Sequence, residues 1–237
     1  MKYNDIRRPA RAVHIGRVTV GGNAPIAIQS MTNTDPHDVA ATLSQIRALA
    51  AAGCDIVRLT VPDREAAETV RVIKESGVQI PIVADIHFDY RLALLCAEYG
   101  VDKIRINPGN IGGEDRVRAV ADACRARHIP IRIGVNSGSL EKHILEKYGA
   151  PTPEALCASA LYHASLLEKF DFEDIVISIK ASSVPATIAA NRALAAACPY
   201  PLHLGVTEAG QRWASSSPPP ESAHYCAMGS AIPSACR

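Results

Sequence analysis

The stretch Lys103-Ile104-Arg105-Ile106-Asn107 sets two isoleucines on one side and two cations with an amide on the other, because side chains alternate across an extended chain. Six further runs share this grammar: Ile26–Thr32, Ile56–Pro62, Ile82–His87, Ile131–Asn136, Ile175–Ser182 and Leu202–Glu208. One face is nearly all Ile, Val and Leu. The other carries Arg58 and Thr60, Asp85 and His87, Arg132 and Asn136, Ser178, Lys180 and Ser182, then His203 and Thr207. A parallel strand covered by helices is ordinarily apolar on both faces. A closed α/β barrel of the TIM type accounts for the polar face, since its strand ends point into an active-site mouth. A doubly wound open sheet is the main alternative, and polar faces on all seven strands favour the barrel.

Helix signals follow each run. Asp35–Pro36 opens a stretch ending at Gly53, Pro62–Asp63 one ending at Gly77, and Asp89 one ending at Gly100. Gly113–Glu114 leads another, which stops before Pro130. Thr152–Pro153–Glu154 supplies a cap, a first-turn proline and an acidic residue for the next. Val184–Pro185 starts a sixth, ended by Cys198–Pro199. Ahead of the first run, Val13, Ile15, Val18 and Val20 alternate with polar residues up to Gly21–Gly22, which predicts a hairpin plugging the barrel bottom.

The pattern stops at Gly210. Residues 1–210 are read as an incomplete barrel with its eighth strand missing. Residues 211–237, with a Ser215–Ser217 run and a Pro218–Pro220 run, are read as an irregular tail. A reading-frame change or truncation is favoured over a natural interaction tail.

The chain has 237 residues, close to the ~250 of a complete barrel. A net charge of +1 gives no general case for nucleic-acid or anionic-membrane binding. No apolar run is long enough to span a bilayer, and no apolar segment follows Arg7, Arg8 and Arg11, so a cytoplasmic location is expected. The seven cysteines show no compact ligand spacing; Cys96, Cys124, Cys157 and Cys198 fall in helix-like stretches as small hydrophobes.

The mouth gathers Arg58, Arg105, Arg132 and Lys180, with Lys103, His87 and His203 nearby, against Asp85 and Glu208. So many converging cations repel unless an anion joins them, and arginine's planar fork suits phosphate oxygens. A diphosphate is favoured over a carboxylate. Asn107 and Asn136 offer hydrogen bonds to phosphate or hydroxyl, and the turns Pro108–Asn110 and Ser137–Ser139 are expected to free backbone N–H groups for the anion. The bland alternative is a set of internal ion pairs with Asp85 and Glu208. Asp85 and His87 share a face, with Asp85 orienting the imidazole or His87 meeting the anion. Glu208 is the candidate for contacting substrate hydroxyls or moving a proton, although strict alternation points Thr207 inward instead.

The segments QSMTN (29–33), VADIHFDYRLAL (83–94), RINPGNIG (105–112), IRIGVNSGSLEK (131–142), SIKAS (178–182) and LHLGVTEAG (202–210) resemble the 4-hydroxy-3-methylbut-2-enyl diphosphate synthase family of the non-mevalonate isoprenoid pathway. The resemblance runs from about Arg11 to Gly210. It implies a TIM barrel followed by a smaller domain holding a [4Fe–4S] cluster. It also implies reductive ring opening and dehydration of 2-C-methyl-D-erythritol 2,4-cyclodiphosphate, electrons from ferredoxin or flavodoxin, and a homodimer. By the same resemblance Arg58, His87, Arg105, Asn107, Arg132, Asn136 and Lys180 hold the diphosphate, while Asp85, Thr207 and Glu208 lie near the carbon skeleton as catalytic candidates or substrate contacts. The cluster domain and its cysteine ligands are not found, and Cys226 and Cys236 do not replace a four-ligand site. The expectation is therefore a substrate-binding barrel without electron delivery, probed against two alternatives: a non-catalytic diphosphate-binding barrel and a dihydropteroate-synthase-like enzyme.

Overall fold

The computed structural model describes residues 7–181 and 183–205. A hairpin opens it: β1 (Val13–Ile15) pairs antiparallel with β2 (Val18–Val20). Six parallel strands follow in sequence order within one sheet: β3 (Gln29–Met31), β4 (Ile56–Thr60), β5 (Ile82–Asp85), β6 (Lys103–Ile106), β7 (Ile131–Asn136) and β8 (Ile175–Lys180). The connecting helices are α1 (Val39–Ala51), α2 (Arg64–Glu75), α3 (Tyr90–Glu98), α4 (Pro108–Ile111), α5 (Glu114–Ala126), α6 (Lys142–Tyr148), α7 (Pro153–Glu168) and α8 (Val184–Ala197).

The sheet is curled. Lys103 on β6 donates from Nζ to Gln29 Oε1 on β3 at 3.0 Å, although β4 and β5 intervene. In a flat sheet those two strands would stand roughly 14 Å apart. Alternation then divides the strands into two faces. Val57, Leu59, Ile82, Ala84, Ile104, Ile106, Ile133 and Ile177 point outward into one core with Ile46, Val70, Ile73, Leu92, Val120, Leu156 and Leu194 of the helices. Inward, Ile56, Val83 and Val176 meet Val13, Ile15 and Val20 of the hairpin in a second, smaller core. The hairpin thus plugs the bottom, as its pattern suggests, and the inward residues above that plug are polar.

Several boundaries differ from the sequence reading. The first barrel strand is Gln29–Met31 rather than the longer 26–32. The first helix is capped by Asp38, not Asp35, because Asp35 turns back to accept the His37 N–H at 2.9 Å. Where a turn over Pro108–Asn110 is expected, the short helix α4 forms with Asn107 capping a proline-led turn; α6, for which the sequence reading has no element, ends on Gly149 at φ +73°. The seventh run, Leu202–Glu208, is present among the described residues as one parallel bridge, Leu202 to Ile177, with the His203 N–H donating to Ile177 O at 2.8 Å. Ser182, Thr207, Glu208 and the boundary at Gly210 lie outside the described residues.

Candidate anion-binding site

Strand register assembles the site. Asp85, Arg105 and Arg132 sit opposite one another on β5, β6 and β7, and Thr60 stands opposite Asp85 on β4. Asn136 pairs with Lys180 two inward positions higher, where β7 and β8 end. Partners in a parallel sheet point to the same face, so two arginines lie side by side inside the barrel. Like charges directly across neighbouring strands are destabilising. Gly134 makes their approach feasible: a Cβ there would sit 2.7 Å from Arg105 Nη2 and 2.9 Å from its Cζ. Residue 134 must be small because the Arg105 guanidinium lies across it.

Among the described residues one carboxylate serves these cations. Asp85 Oδ1 accepts from Arg105 Nη1 at 3.1 Å, and Oδ2 lies 3.5 Å from Arg58 Nε. Burial pushes the Asp85 carboxyl up, but Arg105, Arg58 and Arg132 outweigh it and hold the group below its ordinary value. Arg58 also leans on Met31, with Nη2 2.8 Å from Sδ. Arg132 is 1% exposed, and among the described residues its Nε and Nη1 find no hydrogen-bond partner, nor does Arg105 Nε. Burial, then Arg58 and Arg105, drive the Arg132 guanidinium well below its ordinary value, with Asp85 opposing. Burial and the three arginines bring the Lys180 amine down to about 8. His203, deep in the barrel, is likewise driven well down by burial and by Arg132 and Lys103.

Buried N–H groups in native folds are almost always satisfied, and an orphan asks for an explanation such as an absent ligand. Among the described residues, three orphan guanidinium nitrogens converge here beside a single carboxylate. Their directional, planar donors suit the oxygens of a phosphate.

The structure brings together Arg58, Asp85, Arg105, Arg132 and Lys180 as the sequence suggested. Of the alternatives open for Asp85, both oxygens serve arginines, as the ion-pair reading has it, and neither orients His87. His87 lies half-buried at the rim against the exposed ring of Phe88. Lys103 belongs to the floor, hydrogen-bonded to Gln29, not to the mouth. Asn107 is partly committed already: Oδ1 accepts the Gly109 N–H at 3.2 Å, and Nδ2 donates to Ser139 Oγ at 3.1 Å. The turn after it therefore does not offer free N–H groups as expected, since Asn107 O also accepts from the Asn110 N–H. Sequence reasoning missed Gln29, Glu141 and His163, and took Ser139 for a source of backbone N–H where its hydroxyl holds the Asn107 amide. The signal for His163 was a Ser159/His163 pair four residues apart on the otherwise apolar face of α7.

Residues 10–217 match the GcpE TIM-barrel domain. The chain belongs to this family. Among curated relatives, the 4-hydroxy-3-methylbut-2-en-1-yl diphosphate synthase (flavodoxin) of Azotobacter vinelandii is 62% identical over 204 residues, 86% of this chain and 55% of that protein. The enzyme of the same name from Ruminiclostridium cellulolyticum is 61% identical over 204 residues, 86% of this chain and 58% of that protein. The chain thus spans little more than half the length of the relatives it matches. Dihydropteroate synthase from Thermus thermophilus superposes with a TM-score of 0.64 at 15% identity, covering 95% of this chain and 94% of that one. The Yersinia pestis enzyme gives 0.67 at 12%, covering 94% and 92%. Those likenesses show the barrel fold alone.

The GcpE resemblance implies an iron–sulfur cluster, and the described cysteines do not fit one. Cys96 and Cys124 are sealed between helices and sheet, where burial pushes both thiols up to about 12. Among the described residues no three of His, Cys, Asp and Glu are grouped to hold a metal ion. Cys226 and Cys236 lie outside them. No described helix is long and apolar enough to cross a membrane.

Proposed function

We propose that this barrel binds 2-C-methyl-D-erythritol 2,4-cyclodiphosphate as the substrate-holding part of a cytoplasmic, homodimeric 4-hydroxy-3-methylbut-2-enyl diphosphate synthase. The observation that carries the reading is the buried guanidinium set, with Arg132 Nε, Arg132 Nη1 and Arg105 Nε unsatisfied around one carboxylate among the described residues. The names of the relatives support a diphosphate product and a flavodoxin partner; the cyclic diphosphate substrate, and ferredoxin as the alternative donor, are what the sequence resemblance implies.

In this reading Arg105 and Arg132 take the diphosphate oxygens, and Arg58 and Lys180 close over them. Asn136 and the remaining Nδ2 hydrogen of Asn107 bond phosphate or hydroxyl oxygens, and His87 meets the ligand at the rim. Asp85, expected near the carbon skeleton, keeps the Arg58 and Arg105 forks aimed inward and stays ionised. Thr207 and Glu208 remain assigned to the carbon skeleton, Glu208 as the candidate proton carrier. The reaction opens the ring reductively with loss of water; the barrel's share is to bind the anion, fix the ring and exclude solvent.

Calorimetric titration with the cyclodiphosphate and with an open-chain monophosphate tests this. Two phosphates engaging separate charged donors should make the cyclic ligand at least about tenfold tighter, since each charge-assisted bond contributes ~1.5–3 kcal/mol. Equal, weak binding of both would leave only an unselective basic cavity.

A further inference from the structure

The mouth segments that carry Asn107 and Asn136 are held from outside the barrel by a buried polar cluster. Glu141 caps α6 five residues after Asn136, and its carboxylate turns away from the mouth into α7. Oε2 accepts from Ser159 Oγ at 2.7 Å, and Oε1 accepts from His163 Nε2. Ser159 and His163 are essentially buried among Ala155, Leu156, Ala160 and Ala164. Burial works against the carboxylate, but the His163 hydrogen bond and charge bring it down to about 2.

A buried carboxylate–histidine pair is weak evidence of stability, because desolvation offsets most of the attraction. Its position suggests what it contributes instead. Gly109, in α4, lies against the same carboxylate: a Cβ there would sit 2.8 Å from Glu141 Oε1, 3.4 Å from Asn107 Oδ1 and 3.5 Å from His163 Cε1. Ser139, two residues before Glu141, takes the Asn107 amide at 3.1 Å, and its own hydroxyl reaches Asn136 O at 3.5 Å. One carboxylate therefore touches α7, backs α4 and ends the turn that holds Asn107.

We infer that Glu141, anchored by Ser159 and His163, is a positioning residue that sets Asn107 and Asn136 for the ligand without touching it. The ligand arm of this inference rests on the function proposed above; the structural arm does not.

Hydrogen exchange on the full chain without ligand reads the structural arm. In Glu141→Ala, peptides covering 107–111 and 134–141 should exchange at least about tenfold faster, while β1–β2 and α2 keep their rates, as expected of a local opening unit. Unchanged exchange at 107–111 overturns the inference, whatever the chain binds. Should Glu141→Ala not fold, Ser159→Ala removes one anchor and should loosen the same two segments.

Titration with the cyclodiphosphate reads the other arm. Glu141→Ala should weaken binding about tenfold, and Glu141→Gln, which can still accept from His163 and bond Ser159, should restore it to within about threefold. In an Asn107→Ala background Glu141→Ala should cost almost nothing further, because residues acting through one contact are not additive. Fully additive losses, or no rescue by Gln, would make Glu141 merely structural. Failure of the wild-type chain to bind sinks the proposed function and leaves the exchange result to decide the role of Glu141.

Discussion

Arg132→Met should make the ligand-free protein more stable and a poorer diphosphate binder. Arg132 is 1% exposed, stands opposite Arg105, and has no partner for Nε and Nη1 among the described residues. An orphaned buried donor costs about 1–3 kcal/mol, and replacing buried ionic groups by apolar ones of similar volume often stabilises by about 1–4 kcal/mol. Methionine follows much of the aliphatic path of arginine and adapts to irregular gaps. Lost cavity filling beyond its sulfur opposes the gain, so we expect about 1–3 kcal/mol of net stabilisation. At about 2–4 °C per kcal/mol for a domain of this size, Tm should rise by roughly 2–12 °C. Urea unfolding should show the midpoint moving up at unchanged slope. Calorimetry on the same variant should show cyclodiphosphate affinity lowered roughly 10- to 100-fold. A variant destabilised by more than about 1 kcal/mol would refute the reasoning, since it would mean that Arg132 is satisfied without a ligand.

Gly134→Ala should fold but displace the Arg105 guanidinium, whose Nε, Nη2 and Cζ all crowd the new methyl, and weaken binding about tenfold by calorimetry. Lys180 sits at about 8 when folded against 10.5 as its ordinary value, so between these pH values the unfolded chain holds a proton that the folded chain lacks. Its contribution to stability therefore rises with pH across that window, diphosphate affinity falls as pH passes 8, and binding near pH 8 takes up protons, measurable in buffers of differing ionisation heat. Glu141, held at about 2 against 4.5, contributes stability that is complete above 4.5 and lost as pH falls toward 2; Glu141→Gln should flatten that acid limb in pH-dependent urea melts.

Most of the barrel was legible because each strand repeats one alternation, and alternation fixes which residues share a face. Arg58, Asp85, Arg105, Arg132 and Lys180 could be grouped for that reason alone. What alternation cannot supply is depth along the barrel axis. Lys103 and Arg105 share a face, yet one reaches the floor beside Gln29 and the other the Asp85 carboxylate. Short segments were also hidden. Pro108–Ile111 is too brief to show a period, so Asn107 looked like a free ligand where it caps a helix. Glu141 and His163 lie 22 residues apart on separate helices, and only the packing of α6 on α7 brings them together.

The most direct test is a crystal structure of the chain soaked with the cyclodiphosphate. Phosphate oxygens are expected within hydrogen-bonding distance, about 2.7–3.2 Å, of Arg132 Nε and Nη1 and of Arg105 Nε, the three guanidinium donors without partners among the described residues. Density confined to the rim near His87 and Phe88, with the Arg132 donors still unbonded in an otherwise unchanged interior, would contradict the account.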